Sequence, residues 1–260
     1  RLWGSLGWAS AALFGGLLIN LGGEVIFWCA SAVSIIPIFI LAFIRFTFVE
    51  TNNDTSQKSA VNIKDVLMVL KLPSFYCFAF YVLGVATIYT VYDQQFPVFF
   101  ASLFDDVNFG NAMFGYLNST QIFLEAAFFA IAPLIVNRLG VKNGLLLAGG
   151  IMVFRIFTSA LVDNEIALGI TKLLHAIELP ILMVSIFKYL NLHFNAKLSA
   201  TLFLIGFMFV MQLGSAAFSP VFGYLYDIYG FQSIYLIMAC ISLAALLISS
   251  KLLSRDNNVQ

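Results

Sequence analysis

The sequence predicts an all-α transmembrane protein, a bundle of membrane-spanning helices. Of its 260 residues, 61% are hydrophobic and 10% are charged, whereas soluble domains carry about 25% charged residues. The apolar residues occur in runs of about 20, the length that crosses the hydrocarbon core of a bilayer. The 13 Lys and Arg lie mostly in alternating connections between these runs. The formal net charge is zero, so nothing indicates a nucleic acid as partner.

Eight apolar runs are long enough to be transmembrane helices. They cover about 2–20, 25–44, 75–102, 112–136, 144–162, 166–187, 199–225 and 233–251. The longest connection, 46–74, contains the polar segment ETNNDTSQKS and then the amphipathic segment VNIKDVLMVLKLPS, so we expect a flexible linker followed by an interfacial helix. It divides the chain into two helices (1–45), a central loop (46–74) and a bundle of six helices (75–260).

The basic residues predict the orientation of the chain. The connections around 20–24, 105–111, 162–165 and 227–230 contain no Lys or Arg. The other connections and the two ends carry Arg1, Arg45, Lys58, Lys64, Lys71, Arg138, Lys142, Lys188, Lys197, Lys251 and Arg255. By the positive-inside rule this set is cytoplasmic, so both ends of the chain lie inside, as an even number of spans requires.

The segment KLLHAIELP places three ionisable side chains within one span. Lys172, His175 and Glu178 follow one another at intervals of three, which puts them on one side of a helix. A charge at the centre of a bilayer costs at least about 2.5 kcal/mol, so these residues should face a wet cavity or the bundle interior. We expect a polar path there, with a kink at Pro180; the alternative is a paired ion cluster that only locks helices together.

The remaining intramembrane charges should be the partners of this cluster. Asp93, in YTVYDQQF, is expected to pair with Lys172, although that pair could be purely structural. Arg155 has no acid on its own helix and must find Glu178 or Glu125. Apolar neighbours favour the protonated form of Glu178, whereas a nearby Arg155 favours the ionised form. A change in their distance would move a proton, as a proton-coupled carrier requires.

Two further features suit a sugar ligand. Trp8 stands between small residues, and an aromatic face can stack on a pyranose ring; ordinary packing is the alternative. Asn118, Gln121 and Glu125 form one helical stripe that could bind hydroxyl groups. No catalytic motif and no metal-ligand spacing occurs in the sequence, so we expect neither an enzyme nor a cofactor.

The segments RLWGSLGWA, YDQQF, PLIVNRLGVKN, KLLHAIELP, FKYL, LSAT and LIGF resemble the oligosaccharide:proton symporters of the major facilitator superfamily, the lactose permease group. The resemblance covers essentially the whole chain. It implies about eight of twelve helices: the last two of an N-terminal bundle, a cytoplasmic central loop and a complete C-terminal bundle. The protein would be a monomer in the bacterial inner membrane, with a sugar and a proton as substrates, and would need the remaining N-terminal helices for transport.

The resemblance also implies roles for individual residues. Glu178 would carry the proton, Arg155 would modulate its release, and His175 would link the proton site to the sugar site. Asp93 would pair with Lys172. The complete set of residues expected to contact the sugar is Arg1, Trp8, Tyr89, Asn118, Gln121, Glu125 and His175.

The expected sugar is sucrose. Lactose-transporting members of the family carry a second Asp–Lys pair, and the corresponding residues here are the neutral Thr90 and Met211. Their sugar-binding Glu falls at Ile122, whereas this chain has Glu125 one turn later; both features resemble the sucrose-transporting members. Trp8 departs from those members, which have Tyr. Raffinose, lactose or another galactoside is therefore an alternative substrate, and a non-transporting sugar sensor is an alternative of a different class.

Overall fold

The computed structural model describes residues 23–48, 68–194 and 198–256, together with the isolated helical positions 7, 11, 14 and 18. Within these residues every regular element is helical, and seven helices are long and apolar enough to cross a membrane. They are α1 (Gly23–Phe48), α2 (Pro73–Ala101), α3 (Val107–Leu139), α4 (Val141–Leu161), α5 (Glu165–His193), α6 (Ser199–Tyr229) and α7 (Phe231–Leu252).

These helices confirm seven of the eight predicted spans, from 25–44 to 233–251. The predicted first span lies largely outside the described residues, as do Arg1 and Trp8. The predicted linker and half of the predicted interfacial helix in the central connection also lie outside them.

Two glycine turns join successive helices in the same way. Gly140, between α3 and α4, has φ 87°, and Gly230, between α6 and α7, has φ 77°. Only glycine adopts this conformation without strain, which explains its place at both turns. Each turn follows a helix with an internal proline, Pro133 or Pro220. Because three crossings separate the two turns, they lie at opposite ends of the bundle, as expected for inverted three-helix repeats α2–α4 and α5–α7.

Three helices depart from α-helical geometry at membrane depth. Helix α2 contains a wider π turn at Val82–Thr87, and α6 contains one at Phe203–Phe209. Helix α5 is interrupted at Leu174, between the segments Glu165–Leu173 and His175–His193. In a membrane, irregular backbone is tolerated where it is buried in protein or lines a cavity. These three helices all line the cavity described below.

Helix α5 is interrupted ahead of Pro180, and the kink expected at Pro180 itself stays a prediction. The segment His175–His193 runs through Pro180 as one helix. The break lies at Leu174, whose amide donates to the Thr171 carbonyl at 3.2 Å and whose carbonyl accepts from Glu178 at 3.1 Å. Proline crowds the helical turn that precedes it, and α5 opens just ahead of that turn. The break therefore falls between Lys172 and His175.

Aromatic side chains fill the end of the bundle where α4 ends and α7 begins. Tyr235 on α7 contacts Tyr92 edge-to-face with 4.9 Å between ring centroids, and Phe99 in the same manner at 5.3 Å. The Tyr92 hydroxyl lies 2.8 Å from Ser159 Oγ on α4. All four residues are buried, so this end of the bundle is tightly packed beside the charged cluster.

Candidate functional site

The intramembrane charges predicted from the sequence meet where α2, α4 and α5 pack together. Arg155 on α4 and Glu178 on α5 are both 0% exposed, and Lys172 is 2% exposed. The Asp93 side chain on α2 is 28% exposed, so it lies at the edge of the cluster. Charges at this depth are tolerated only when they are paired or wet, and each of these four has a partner.

Asp93 and Lys172 form the first part of the cluster. Lys172 Nζ donates to Asp93 Oδ1 at 2.8 Å. The same ammonium group lies 5.5 Å and 5.8 Å from the ring centroids of Phe96 and Phe114, which gives it two favourable aromatic faces. Arg155 Nη2 lies 3.4 Å from Asp93 Oδ1, so this one carboxylate oxygen contacts both cations.

Arg155, His175 and Glu178 form the second part. Arg155 Nη1 lies 2.5 Å from Glu178 Oε1, and His175 Nδ1 lies 2.8 Å from the same oxygen. Of the two acids that the sequence left open for Arg155, the structure pairs it with Glu178. Glu125 lies on α3, where Gln121 Nε2 donates to its Oε2 at 3.5 Å.

Tyr89 connects this second part to α2. Its hydroxyl lies 2.7 Å from His175 Nδ1, and its ring lies face to face with the imidazole at 5.8 Å between centroids. The guanidinium carbon of Arg155 lies 5.0 Å from the centre of the Tyr89 ring. Arg155 Nη1 also lies 3.1 Å from His175 Nδ1, which therefore has neighbours on three side chains, Tyr89, Arg155 and Glu178. This nitrogen accepts one hydrogen bond when bare and donates one when protonated. A proton gained or lost at His175 or Glu178 must rearrange these contacts.

The cluster is balanced in charge when His175 is neutral. Two cations, Arg155 and Lys172, face two carboxylates, Asp93 and Glu178. The pairing of Arg155 with Glu178 uses only one oxygen, because Glu178 Oε2 and Arg155 Nε are buried with no hydrogen-bond partner in the described part of the chain. One carboxylate oxygen is thus available to hold a proton.

A cavity of about 660 Å³ borders the cluster. It is lined by Tyr89, Asp93 and Gln94 of α2 and by His175 of α5. Methionine, leucine and phenylalanine side chains of α4, α5 and α6 also line it. The site therefore has two layers: Tyr89, Asp93 and His175 reach the cavity, and the fully buried charges lie behind them. A molecule in the cavity can affect the buried pair through His175.

The neutral residues noted in the sequence lie on the same cavity wall. Thr90 Oγ1 on α2 lies 3.5 Å from Met211 Sδ on α6, and both residues line the cavity. These two neutral side chains are thus in contact with each other. Gln94, in the segment YDQQF, was given no role from the sequence; it lines the cavity and accepts from Ser219 Oγ at 3.0 Å.

The remaining predicted sugar contacts lie elsewhere. Asn118, Gln121 and Glu125 share α3, and Gln121 and Glu125 are buried, but none of the three is among the described residues that line this cavity. The methionines of the cavity, such as Met183 and Met208, were not predicted, because nothing in an apolar run marks which side chains face inward. Among the described residues, no group of three His, Cys, Asp or Glu side chains could hold a metal ion.

Comparison of the chain with known proteins shows its family. The model of the LacY proton/sugar symporter family matches residues 1–260. The chain belongs to that family. Its helices therefore form part of a major facilitator bundle, as predicted, in a multi-pass inner-membrane protein of a family of permeases rather than enzymes.

Three relatives of the LacY family are similar to the chain to nearly the same degree. Raffinose permease of Escherichia coli is 37% identical over 263 residues, with 100% of this chain and 62% of the relative covered. Sucrose permease of Escherichia coli is 37% identical over 256 residues, with 98% and 61% covered. Lactose permease of Klebsiella oxytoca is 38% identical over 256 residues, with 96% and 61% covered. The chain thus spans about three fifths of the length of these relatives.

Proposed function

We propose that this chain, within a full-length permease, carries a di- or oligosaccharide together with a proton by alternating access, and that sucrose is the preferred sugar. The observation that carries the proposal is the charge-balanced buried cluster joined to a cavity through His175. A balanced cluster changes its internal pairing when one proton is added, and His175 and Tyr89 link that change to the cavity wall.

The proton step follows from the contacts of Glu178. A proton on the free Oε2 removes the negative charge that faces Arg155. The guanidinium group then has Asp93 as its remaining carboxylate neighbour, at 3.4 Å, where it competes with Lys172. The second part of the cluster loosens, and loss of the proton restores it.

The sugar step acts on the cavity wall. A sugar hydroxyl that hydrogen-bonds to His175 or Tyr89 competes with the contacts that these side chains make to each other and to Glu178. Bound sugar therefore favours one arrangement of Arg155 and Glu178. Protonation of Glu178 in turn favours the arrangement of His175 and Tyr89 that binds the sugar. This reciprocity is what couples two ligands in one carrier.

The choice of sucrose is supported by two neutral residues of the cavity wall. Thr90 and Met211 contact each other at the positions where the lactose-transporting members carry an Asp–Lys pair. The sugar-binding Glu of those members falls at position 122, whereas the acid of this chain is Glu125, which accepts from Gln121. The relatives named for raffinose, sucrose and lactose are similar to the chain to nearly the same degree and do not rank the sugars.

The test uses the full-length protein reconstituted in vesicles. We expect external sucrose to cause alkalinisation of the medium. Labelled sucrose should enter preloaded vesicles by counterflow, and raffinose and lactose should compete with it more weakly. Sugar binding without counterflow of any sugar would indicate the sensor alternative. Counterflow without alkalinisation would contradict proton coupling, and a better competitor than sucrose would correct the substrate.

The proposed orientation places the C-terminus in the cytoplasm. It is supported by basic residues at one end of the bundle: Arg138 and Lys142 lie near the Gly140 turn, Lys251 lies in the last turn of α7, and Arg255 follows α7. A fluorescent-protein fusion at the C-terminus should fluoresce, and an alkaline phosphatase fusion there should be inactive. The reverse pattern would contradict this orientation.

A further inference from the structure

The π turn of α2 lies directly before the residues of α2 that reach the site. It covers Val82–Thr87, and Tyr89 and Asp93 lie on the two helical turns that follow. A π turn takes up one residue more than an α-helical turn, so it rotates the following residues by about 100° relative to an uninterrupted helix. The direction in which Tyr89 and Asp93 project therefore depends on whether this turn persists.

The π turn leaves a backbone carbonyl without its usual amide partner, and a side chain of α7 replaces it. In an α-helix the Gly84 carbonyl would accept from the Ile88 amide, but that amide is directed to the Val85 carbonyl. The Ser242 hydroxyl donates to the Gly84 carbonyl at 3.1 Å. Ser242 is 0% exposed, so water does not offer a substitute at this depth.

A second hydroxyl supports the turn from inside α2. Thr87 Oγ1 donates to the Val82 carbonyl at 3.0 Å, and Thr87 is also 0% exposed. The close approach of α7 depends on Gly84, because a Cβ at that position would overlap the side chain of Ala245, one turn beyond Ser242. The sequence thus provides both the space and the donors that the turn requires.

We propose that Ser242 and Thr87 are positioning residues that hold the π turn of α2 and thereby direct Tyr89 toward His175 and Asp93 toward Lys172. The link to proton coupling rests on the proposed function. If the turn relaxes to an α-helix, the residues after it rotate, and the contacts of 2.7 Å from Tyr89 to His175 and 2.8 Å from Asp93 to Lys172 cannot both survive.

Ser242→Ala in the full-length permease is the first variant, with Ser249→Ala as its matched control. Ser249 lies two turns later on α7 and is also 0% exposed, but its hydroxyl has no hydrogen-bond partner among the residues that the structure describes. Loss of one buried hydrogen bond corresponds to about a tenfold change in an equilibrium. We expect Ser242→Ala to lower uphill sugar accumulation about tenfold, and Ser249→Ala to match the parent.

Thr87 offers an isosteric test. Thr87→Val removes only the hydroxyl and should reproduce the loss of accumulation, whereas Thr87→Ser keeps the hydroxyl and should restore it. Thr158→Val on α4 is the control, because the Thr158 hydroxyl bonds the Phe154 carbonyl of a regular helical turn. Equal effects of Thr87→Val and Thr87→Ser would contradict a role for the hydroxyl.

A cross-linking assay reads the rotation of α2 without transport. Thr90 and Met211 are in contact at 3.5 Å, so cysteines at both positions, in a full-length protein whose native cysteines are alanine, should react rapidly with a short bifunctional thiol reagent. Rotation of α2 separates them, and we expect Ser242→Ala, but not Ser249→Ala, to slow the reaction about tenfold.

The outcomes separate the two proposals. Unchanged cross-linking in Ser242→Ala overturns the positioning role, whatever transport does. Slower cross-linking with unchanged accumulation overturns its link to coupling. Slower cross-linking in a protein whose parent moves no protons supports the positioning role and contradicts the proposed function instead.

Discussion

Glu178 presents one carboxylate oxygen to Arg155 and His175 and leaves the other without a partner in the described part of the chain. Glu178→Gln in the full-length protein resembles a permanently protonated carboxyl group. We expect sugar exchange to remain within about threefold of the parent and uphill accumulation to fail, because no proton can be released. Exchange and accumulation are measured in the same vesicles.

Glu165→Gln is the control for this prediction. Glu165 lies in the first turn of the same span and outside the cluster, so its neutral variant should accumulate sugar normally. Accumulation by Glu178→Gln at the level of the parent would show that another group carries the proton.

The contacts of Asp93 predict unequal effects for the two halves of its ion pair. Asp93→Asn removes the negative charge that faces Lys172 and leaves a neutral amide and two aromatic rings beside it, and buried charges without an opposite charge cost about 3–5 kcal/mol. Lys172→Met leaves Asp93 with Arg155 at 3.4 Å, so it should be milder. The double variant should be the mildest of the three.

Thermal unfolding in detergent and expression level measure these effects. The prediction requires the order Asp93→Asn, Lys172→Met, double variant, from most to least destabilised. Additive losses in the double variant would mean that the two residues contribute independently.

At the scale of the helices, the neutral contact between α2 and α6 predicts that a charge pair can be introduced there. Met211→Lys alone places a cation on an apolar cavity wall and should reduce the folded yield about tenfold or more. Thr90→Asp with Met211→Lys should recover most of that yield, because the two side chains already touch at 3.5 Å. Size-exclusion chromatography of the solubilised variants measures the yield. No recovery in the double variant would mean that α2 and α6 cannot bring these groups together.

The helices show what the sequence could and could not predict. The spans were predictable because each apolar run has the length of a bilayer crossing, and the pairing of Asp93 with Lys172 because isolated charges in hydrocarbon need partners. Which of the two acids pairs with Arg155 was not predictable, because the pairing depends on how three helices are rotated about their axes. The π turn in α2 was not predicted either, because VLGVAT contains no proline and the Ser242 hydroxyl that bonds its Gly84 carbonyl lies far along the chain, on α7.

At the scale of the whole permease, Glu125 should contribute to the choice of sugar. A charge-assisted hydrogen bond contributes about 1.5–3 kcal/mol, or roughly ten- to a hundredfold in affinity. Glu125→Gln should therefore weaken most the sugar whose hydroxyl groups it binds. Ile122→Glu combined with Glu125→Asn should shift preference toward galactosides.

Competitive uptake of sucrose, raffinose and lactose by the parent and both variants measures this shift. Gln121→Leu is a useful companion, because it removes the neighbour that donates to Glu125 and leaves the acid in place. An unchanged order of sugars in all variants would mean that Glu125 has a structural role.

The charge balance of the buried cluster has an electrical consequence. Asp93 and Glu178 offset Lys172 and Arg155, so these four groups carry no net charge. In the proposed carrier, the empty state is therefore neutral among these groups, and the state with a proton has one positive charge. Moving one charge through the membrane potential changes the free energy by about 2.3 kcal/mol per 100 mV. The inward movement of the loaded carrier should therefore accelerate with membrane voltage, while the return of the empty carrier should be indifferent to it.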